Sequence, residues 1–170
     1  TDMACGPKYF TYINQELPTL CRRFFGIQPV PERTYIMGLS MGGYGAMKCA
    51  FTAPQQYAGC AGFSSVAEIQ AELPQLCRWH EDQAIFPHGI VPPQDDLFDL
   101  VEKFRDGTCP MPRLFLACGQ QDSLYPANLR LRDTLQAMNW PLTWHEAPGD
   151  HNWFFWNDAL GRAMKELLEN

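Results

Sequence analysis

No stretch of this 170-residue chain comes near the roughly 20 consecutive apolar residues that a membrane-spanning helix requires. Basic residues are also scarce, with 13 Lys and Arg against 19 Asp and Glu, a formal net charge of −6, and no cluster of cations. A nucleic-acid partner would need a basic stripe, so that class is set aside. Metal-ligand spacing is missing too. The seven cysteines (Cys5, Cys21, Cys49, Cys60, Cys77, Cys109 and Cys118) follow no ligand pattern, and Cys77, His80 and His88 are spaced irregularly. No metal or organic cofactor is called for. An odd number of cysteines, several inside apolar elements, reads as reduced core thiols of a cytoplasmic protein. A Cys77–Cys109 disulfide is the competing reading. Repeats, low-complexity tracts and interdomain linkers are absent. The first residues, Thr1-Asp2-Met3-Ala4, read neither as a signal peptide nor as a natural start. What remains is 46% hydrophobic and 13% aromatic, the composition of a globular domain with its own core.

The stretch that carries chemistry is Gly38-Leu39-Ser40-Met41-Gly42. It lies between an apolar strand, Arg33-Thr34-Tyr35-Ile36-Met37, and a small-residue helix opening at Gly42-Gly43-Tyr44-Gly45-Ala46. A sharp strand-to-helix turn lifts a serine hydroxyl clear of a sheet. It also crowds the positions two before and two after the serine, and both are glycine here. The same turn aims the Met41 N–H at an oxyanion, with the positive end of the helix behind it.

Partners follow in a specific order. Arg113 to Gly119 reads as a buried strand, with Gln120-Gln121-Asp122-Ser123 directly after it. Leu142 to Glu146 is another strand, with Pro148-Gly149-Asp150-His151-Asn152-Trp153 as its following loop. An acid and a histidine thus sit past the carboxyl ends of strands, the rim where open parallel sheets bind ligands. Parallel strands are expected at about 33–38, 58–63, 113–119 and 142–147. Residues 9–25 predict an amphipathic helix with Phe10, Ile13, Leu17, Leu20 or Cys21, and Phe24 on one face, kinked at Pro18. The nucleophile helix should run to about Ala53, ahead of Pro54, and two closing helices are expected at about 126–138 and 154–168. Between them, 66–108 is broken by Pro74, Pro87, Pro92 and Pro93, and reads as a lid-like insertion over the site rim.

Gly38 to Ala46, Cys118 to Tyr125 and Gly149 to Trp153 together resemble the esterase family of α/β-hydrolases that includes tributyrin and acetyl esterases, with feruloyl esterases and S-formylglutathione hydrolases as relatives. The resemblance runs over nearly the whole chain. It implies an α/β fold with a parallel sheet flanked by helices, and a serine carboxylesterase acting on small acyl or aryl esters. It also implies a strand meander and a first helix ahead of the segment matching Thr1-Asp2-Met3. The expectation is therefore that residues 1–170 form the C-terminal part of one α/β-hydrolase domain whose N-terminal strands are missing from this chain. The serine strand would then need a cover: the missing segment, a neighbouring chain, or a homo-oligomer.

Ser40 is the expected nucleophile, His151 the general base and Asp122 the acid that orients it. Met41 supplies an oxyanion donor. Tyr125, Trp153 and Trp156 are candidates for an acyl or alcohol pocket, and serve equally well as core. Asp122 has a rival role as a helix cap. Glu146 and Asp150 are alternative acids, and His145, inside a strand, reads as structural. Two other function classes stay open, an acyltransferase of the same fold and a catalytically incomplete fragment or binding module.

Overall fold

The computed structural model describes residues 1–76 and 81–169. Four parallel strands form one sheet in the order β1-β2-β3-β4: β1 (Tyr35–Leu39), β2 (Gly59–Phe63), β3 (Arg113–Gly119) and β4 (Leu142–Ala147). All four expected strands are present. The first starts two residues late because Pro31–Arg33 closes into a 3-10 turn. Side chains alternate across the sheet, as the two-residue period of a strand demands. On β3, Leu114 and Leu116 enter the larger core with Met47, Phe51, Leu131 and Leu135, while Phe115 and Ala117 face the smaller core beneath the last helix.

The larger core is closed by α3 (Met41–Thr52), α4 (Ile69–Leu76), α6 (Leu97–Glu102) and α7 (Tyr125–Ala137). Phe51, Phe104 and Trp140 form an aromatic cluster there, with ring centroids 4.6 to 6.3 Å apart. The smaller core is closed by α8 (Trp153–Leu168), which lays Phe155, Trp156, Ala159, Ala163 and Leu167 against the sheet. The small residues at 159 and 163 let that helix approach closely.

The segment 66–108 contains α4, α5 (Glu81–Ile85), α6 and 3-10 turns at Pro87–Gly89 and Pro93–Asp95. It contributes Ile69, Leu73, Phe86, Leu97 and Val101 to the core. Cys77 and His80 fall outside the described residues, and with them the disulfide and metal readings that used them. Cys109 carries a free thiol, and His88 sits exposed on a turn at φ +63°.

The first helical region spans Tyr9–Phe25, the expected bounds, but the interruption near Pro18 takes the form of a π-helical stretch, Tyr12–Glu16, between α1 (Tyr9–Thr11) and α2 (Leu17–Phe25). Pro18 has no N–H to offer the Asn14 carbonyl, and the chain widens just before it, the Leu17 N–H reaching back five residues to the Tyr12 carbonyl. Its apolar face is largely uncovered, and Phe24 and Phe25 are 68% and 76% exposed. The reason is its position. Ile13 and Leu17 overhang β1, together with Ile27, Val30 and Ile36 of the following segment and strand, along a groove of about 570 Å³. Within the described residues β1 pairs with β2 alone, so the strand that carries the serine has an open edge.

Candidate active site

Ser40 stands between β1 and α3 at φ +54° and ψ −123°, a backbone conformation that side chains rarely adopt and that costs about 1–3 kcal/mol. Its backbone is pinned on both sides. The Ser40 N–H donates to the Phe63 carbonyl at 2.8 Å, and its own carbonyl accepts from Gly43, Tyr44 and Val66. The turn closes so tightly that a Cβ at Gly38 would overlap the backbone carbonyl of Gly42. Gly42 itself is different: a Cβ there would meet nothing within 4 Å. The expected crowding thus falls on the position before the serine and not on the one after it.

Met41 is the first residue of α3, so its N–H has no acceptor within the helix and sits next to Ser40 at the positive end of the helix dipole. The Met41 side chain, Tyr44, Ile69, Leu73, Ile85 and Phe86 line an apolar cavity of about 320 Å³ immediately beside this turn.

The acid arrives on the loop after β3. Asp122 has a fully buried side chain. Its Oδ1 accepts the Leu124 N–H at 2.9 Å, and its Oδ2 lies 2.8 Å from His151 Nδ1. The N-cap of the following α7 is Leu124, with no side-chain cap, so Oδ1 holds the turn ahead of the helix while Oδ2 meets the histidine. An ionised carboxylate only accepts, so Nδ1 carries the proton and Nε2 is left basic. His151 Nε2 lies 3.0 Å from Ser40 Oγ.

The histidine loop after β4 is clamped to the acid loop. The Gln121 N–H donates to the Gly149 carbonyl at 2.9 Å, and the Gly149 N–H donates to Gln121 Oε1 at 2.6 Å. A Cβ at Gly119 would overlap that same Gly149 carbonyl, which explains a glycine at the end of β3. Asn152 then starts α8, its side-chain oxygen accepting from the Phe154 and Phe155 N–H groups.

The remaining candidates make other contacts. The Tyr125 hydroxyl donates to Glu146 Oε2 at 2.9 Å, and Trp144 Nε1 donates to the same oxygen at 2.7 Å. Glu146 is thus engaged away from His151, its carboxyl held below the usual range first by the Trp144 and then by the Tyr125 bond. Asp150 accepts from the His151 backbone N–H and makes no contact with its ring. His145 packs parallel to Phe155 at 6.2 Å. Trp153 is two-thirds exposed and meets Trp156 edge-on at 5.5 Å, while Trp156 itself packs edge-on against the His151 ring at 4.8 Å. Trp156 was legible only as an aromatic near the site. Ser64, which receives its indole N–H, carried no signal beyond ending a strand.

Among the described residues, no cluster of His, Cys, Asp and Glu could hold a metal ion, and no helix is long and apolar enough to cross a membrane.

Comparison with known proteins places this geometry in a family. The family model described as "Putative esterase" matches residues 2–101. An acetyl esterase of Caldicellulosiruptor saccharolyticus is 28% identical over 168 residues, covering 93% of this chain and 63% of that protein. A substrate-bound structure of the Staphylococcus aureus fluorophosphonate-binding serine hydrolase F superposes over 100% of this chain and 67% of its own, with a TM-score of 0.90 and 30% identity. An apoenzyme structure of S-formylglutathione hydrolase from Staphylococcus aureus gives a TM-score of 0.78 at 30% identity, covering 94% of this chain and 60% of its own. The chain thus spans only 60–67% of the length of these relatives. Because the family match extends over more than half of its residues and the fold agrees, this chain belongs to the putative-esterase family of α/β-hydrolases.

Proposed function

We propose that this chain carries the nucleophile, base and acid of a serine carboxylesterase that cleaves small acyl or aryl esters through an acyl-enzyme. One observation carries the reading: the unbroken line from Asp122 Oδ2 through His151 to Ser40 Oγ, at 2.8 and 3.0 Å, ending on a strained elbow. Proximity in this geometry removes the entropy cost of bringing base and nucleophile together.

The steps follow from the atoms. The Ser40 hydroxyl gives its proton to His151 Nε2 as Oγ attacks the ester carbonyl carbon. Asp122 stabilises the resulting imidazolium through Nδ1–H. The Met41 N–H donates to the developing oxyanion, an interaction worth about 10²–10³ in rate. His151 Nε2 then protonates the departing alcohol oxygen, leaving Ser40 acylated. A water molecule repeats the sequence, its proton passing to His151 and then back to Ser40 Oγ as the acid leaves. The apolar cavity beside Met41, with walls from Ile69, Leu73, Ile85 and Phe86, suits a short acyl or aryl group. In this reading the 66–108 segment is the lid and pocket wall, and Trp153 borders the alcohol side.

The open edge of β1 and the apolar groove along it call for a covering segment, from a neighbouring stretch of the same protein, from another chain or from a second copy. Free thiols at Cys5, Cys21, Cys49, Cys60, Cys109 and Cys118 suit a reducing cytoplasm.

Fluorophosphonate labelling read by intact mass and peptide mapping tests the proposal. A single adduct on Ser40, absent in Ser40→Ala, is expected. A folded sample that takes no label at Ser40 overturns it.

A further inference from the structure

A triad histidine is tethered at both nitrogens, but both bonds lie in the plane of its ring. Neither resists a tilt of that plane. In this chain the His151 ring meets the indole of Trp156 almost perpendicularly, at 87° with centroids 4.8 Å apart. Trp156 is itself immobilised. It is 8% exposed, and its Nε1–H donates to the hydroxyl oxygen of Ser64 at 3.1 Å.

Ser64 has no place in the ester chemistry, yet it has the marks of a constrained position. It is fully buried, holds φ +46°, and ties its N–H to the Ala117 carbonyl of β3 at 2.7 Å. The Cys118 thiol approaches the same hydroxyl oxygen at 3.9 Å, and burial pushes that thiol up to about 12, so it stays protonated as a donor. Strained, non-glycine backbone held deep in a fold persists only where surrounding contacts over-determine it. Here it sets an acceptor at the end of β2, one strand away from the nucleophile, and aims it at a side chain of α8.

We propose that Ser64 and Trp156 form a positioning pair for His151: Ser64 fixes the indole, and the indole fixes the tilt of the imidazole between Asp122 and Ser40. The proposal rests on the catalytic reading of His151. Trp156 touches no reacting atom, so it is a positioning residue, and its loss should lower kcat more than it raises KM. Small displacements of a catalytic group cost up to about 10²-fold, so Trp156→Leu should lose about 10- to 100-fold in kcat. Trp156→Phe keeps a ring against His151 but loses the N–H, and should retain most of the activity. Ser64→Ala removes the acceptor of both the indole N–H and the Cys118 thiol. Its loss should therefore be at least that of Trp156→Phe, and the double variant should lose no more than Ser64→Ala alone, because the indole hydrogen bond is already gone in it.

The deciding readout does not need turnover. The proton on His151 Nδ1, held by Asp122, gives a low-field NMR resonance that reports the fixed ring. It should be sharp in the starting protein, weakened in Ser64→Ala and lost to exchange in Trp156→Leu. If the starting protein keeps that resonance but neither labels with fluorophosphonate nor hydrolyses esters, the esterase reading fails while the positioning pair stands. An unchanged resonance and unchanged kcat in a folded Trp156→Leu overturn the pair. Should that variant fail to fold, an unchanged resonance in Ser64→Ala overturns it equally.

Discussion

Gly38 and Gly42 face each other across the serine turn, yet only one of them needs to be glycine. The Cβ that Gly38 lacks would fall on the Gly42 carbonyl, whereas the Cβ that Gly42 lacks would point into open space. Gly38→Ala must therefore spring the turn and move Ser40 off His151, with a loss of activity of about 10²-fold or more. Gly42→Ala should fold as the starting protein does and stay within about threefold of its activity, since Ala is also the better helix former by about 1 kcal/mol. Paired esterase assays and urea unfolding check this. Equal damage from both substitutions would show that the space beside Gly42 is filled in the working protein.

Asp122 spends one oxygen on the Leu124 N–H and the other on His151. Asp122→Asn can keep the first contact through its carbonyl and then presents an NH₂ to Nδ1, which favours the wrong tautomer. A fall in kcat of about 10³- to 10⁴-fold is expected, with stability nearly intact. Asp122→Ala removes both contacts and should also destabilise the β3–α7 turn by about 1–2 kcal/mol, the cost of leaving the buried Leu124 N–H unpaired. Comparing kcat with the unfolding midpoint for the two variants separates the roles.

The sequence made the four strands and the serine turn legible because each is encoded locally, by an apolar run bounded by turn residues or by glycines at fixed offsets. The order of serine, acid and histidine was readable for the same reason, each at the end of its own strand. Other features depend on what packs against what. The exposed face of α2 illustrates this: the period of Ile13, Leu17 and Phe24 reveals an apolar stripe, but not whether anything covers it. Tyr125 reads equally well as pocket or core, and only the docking of β4 places Glu146 beside its hydroxyl. The contact between Ser64 and Trp156 joins residues 92 apart through the docking of α8 on the sheet, and no spacing rule foreshadows it.

Thiol reactivity should divide along burial. Cys5 is exposed, whereas Cys49, Cys60 and Cys118 are buried. Burial raises all three buried thiols, Cys49 to about 11 and Cys118 to about 12. The thiolate is the reactive form, so these three should stay unmodified by iodoacetamide at neutral pH while Cys5 labels within minutes. Peptide mapping before and after denaturation measures this. Early labelling of Cys118 would mean that the region behind Asp122 and Ser64 opens in solution.

Lys48 and Asp95 form a buried ion pair that ties the Pro93–Asp95 turn of the 66–108 segment to the nucleophile helix, their side chains 6% and 10% exposed. The Tyr44 hydroxyl reinforces it by donating to the Asp95 carbonyl at 2.6 Å, and Thr1 Oγ1 donates to the Asp95 carboxylate at 2.7 Å. Removing one partner of such a pair strands a charge, so Lys48→Met should cost about 3–5 kcal/mol in urea unfolding. Replacing both by apolar residues removes the stranded charge, so Lys48→Met with Asp95→Leu should recover most of that loss. The pair also anchors the turn that precedes α6, a helix packed on α3, whose Tyr44 lines the cavity beside Met41. If the segment is the pocket wall, the double variant should regain stability yet hydrolyse longer acyl esters with a raised KM, since the wall is then held by packing alone. Full recovery of both stability and acyl-length preference would show that the ion pair fixes neither the fold nor the wall, and that Leu97 and Val101 suffice to seat the segment.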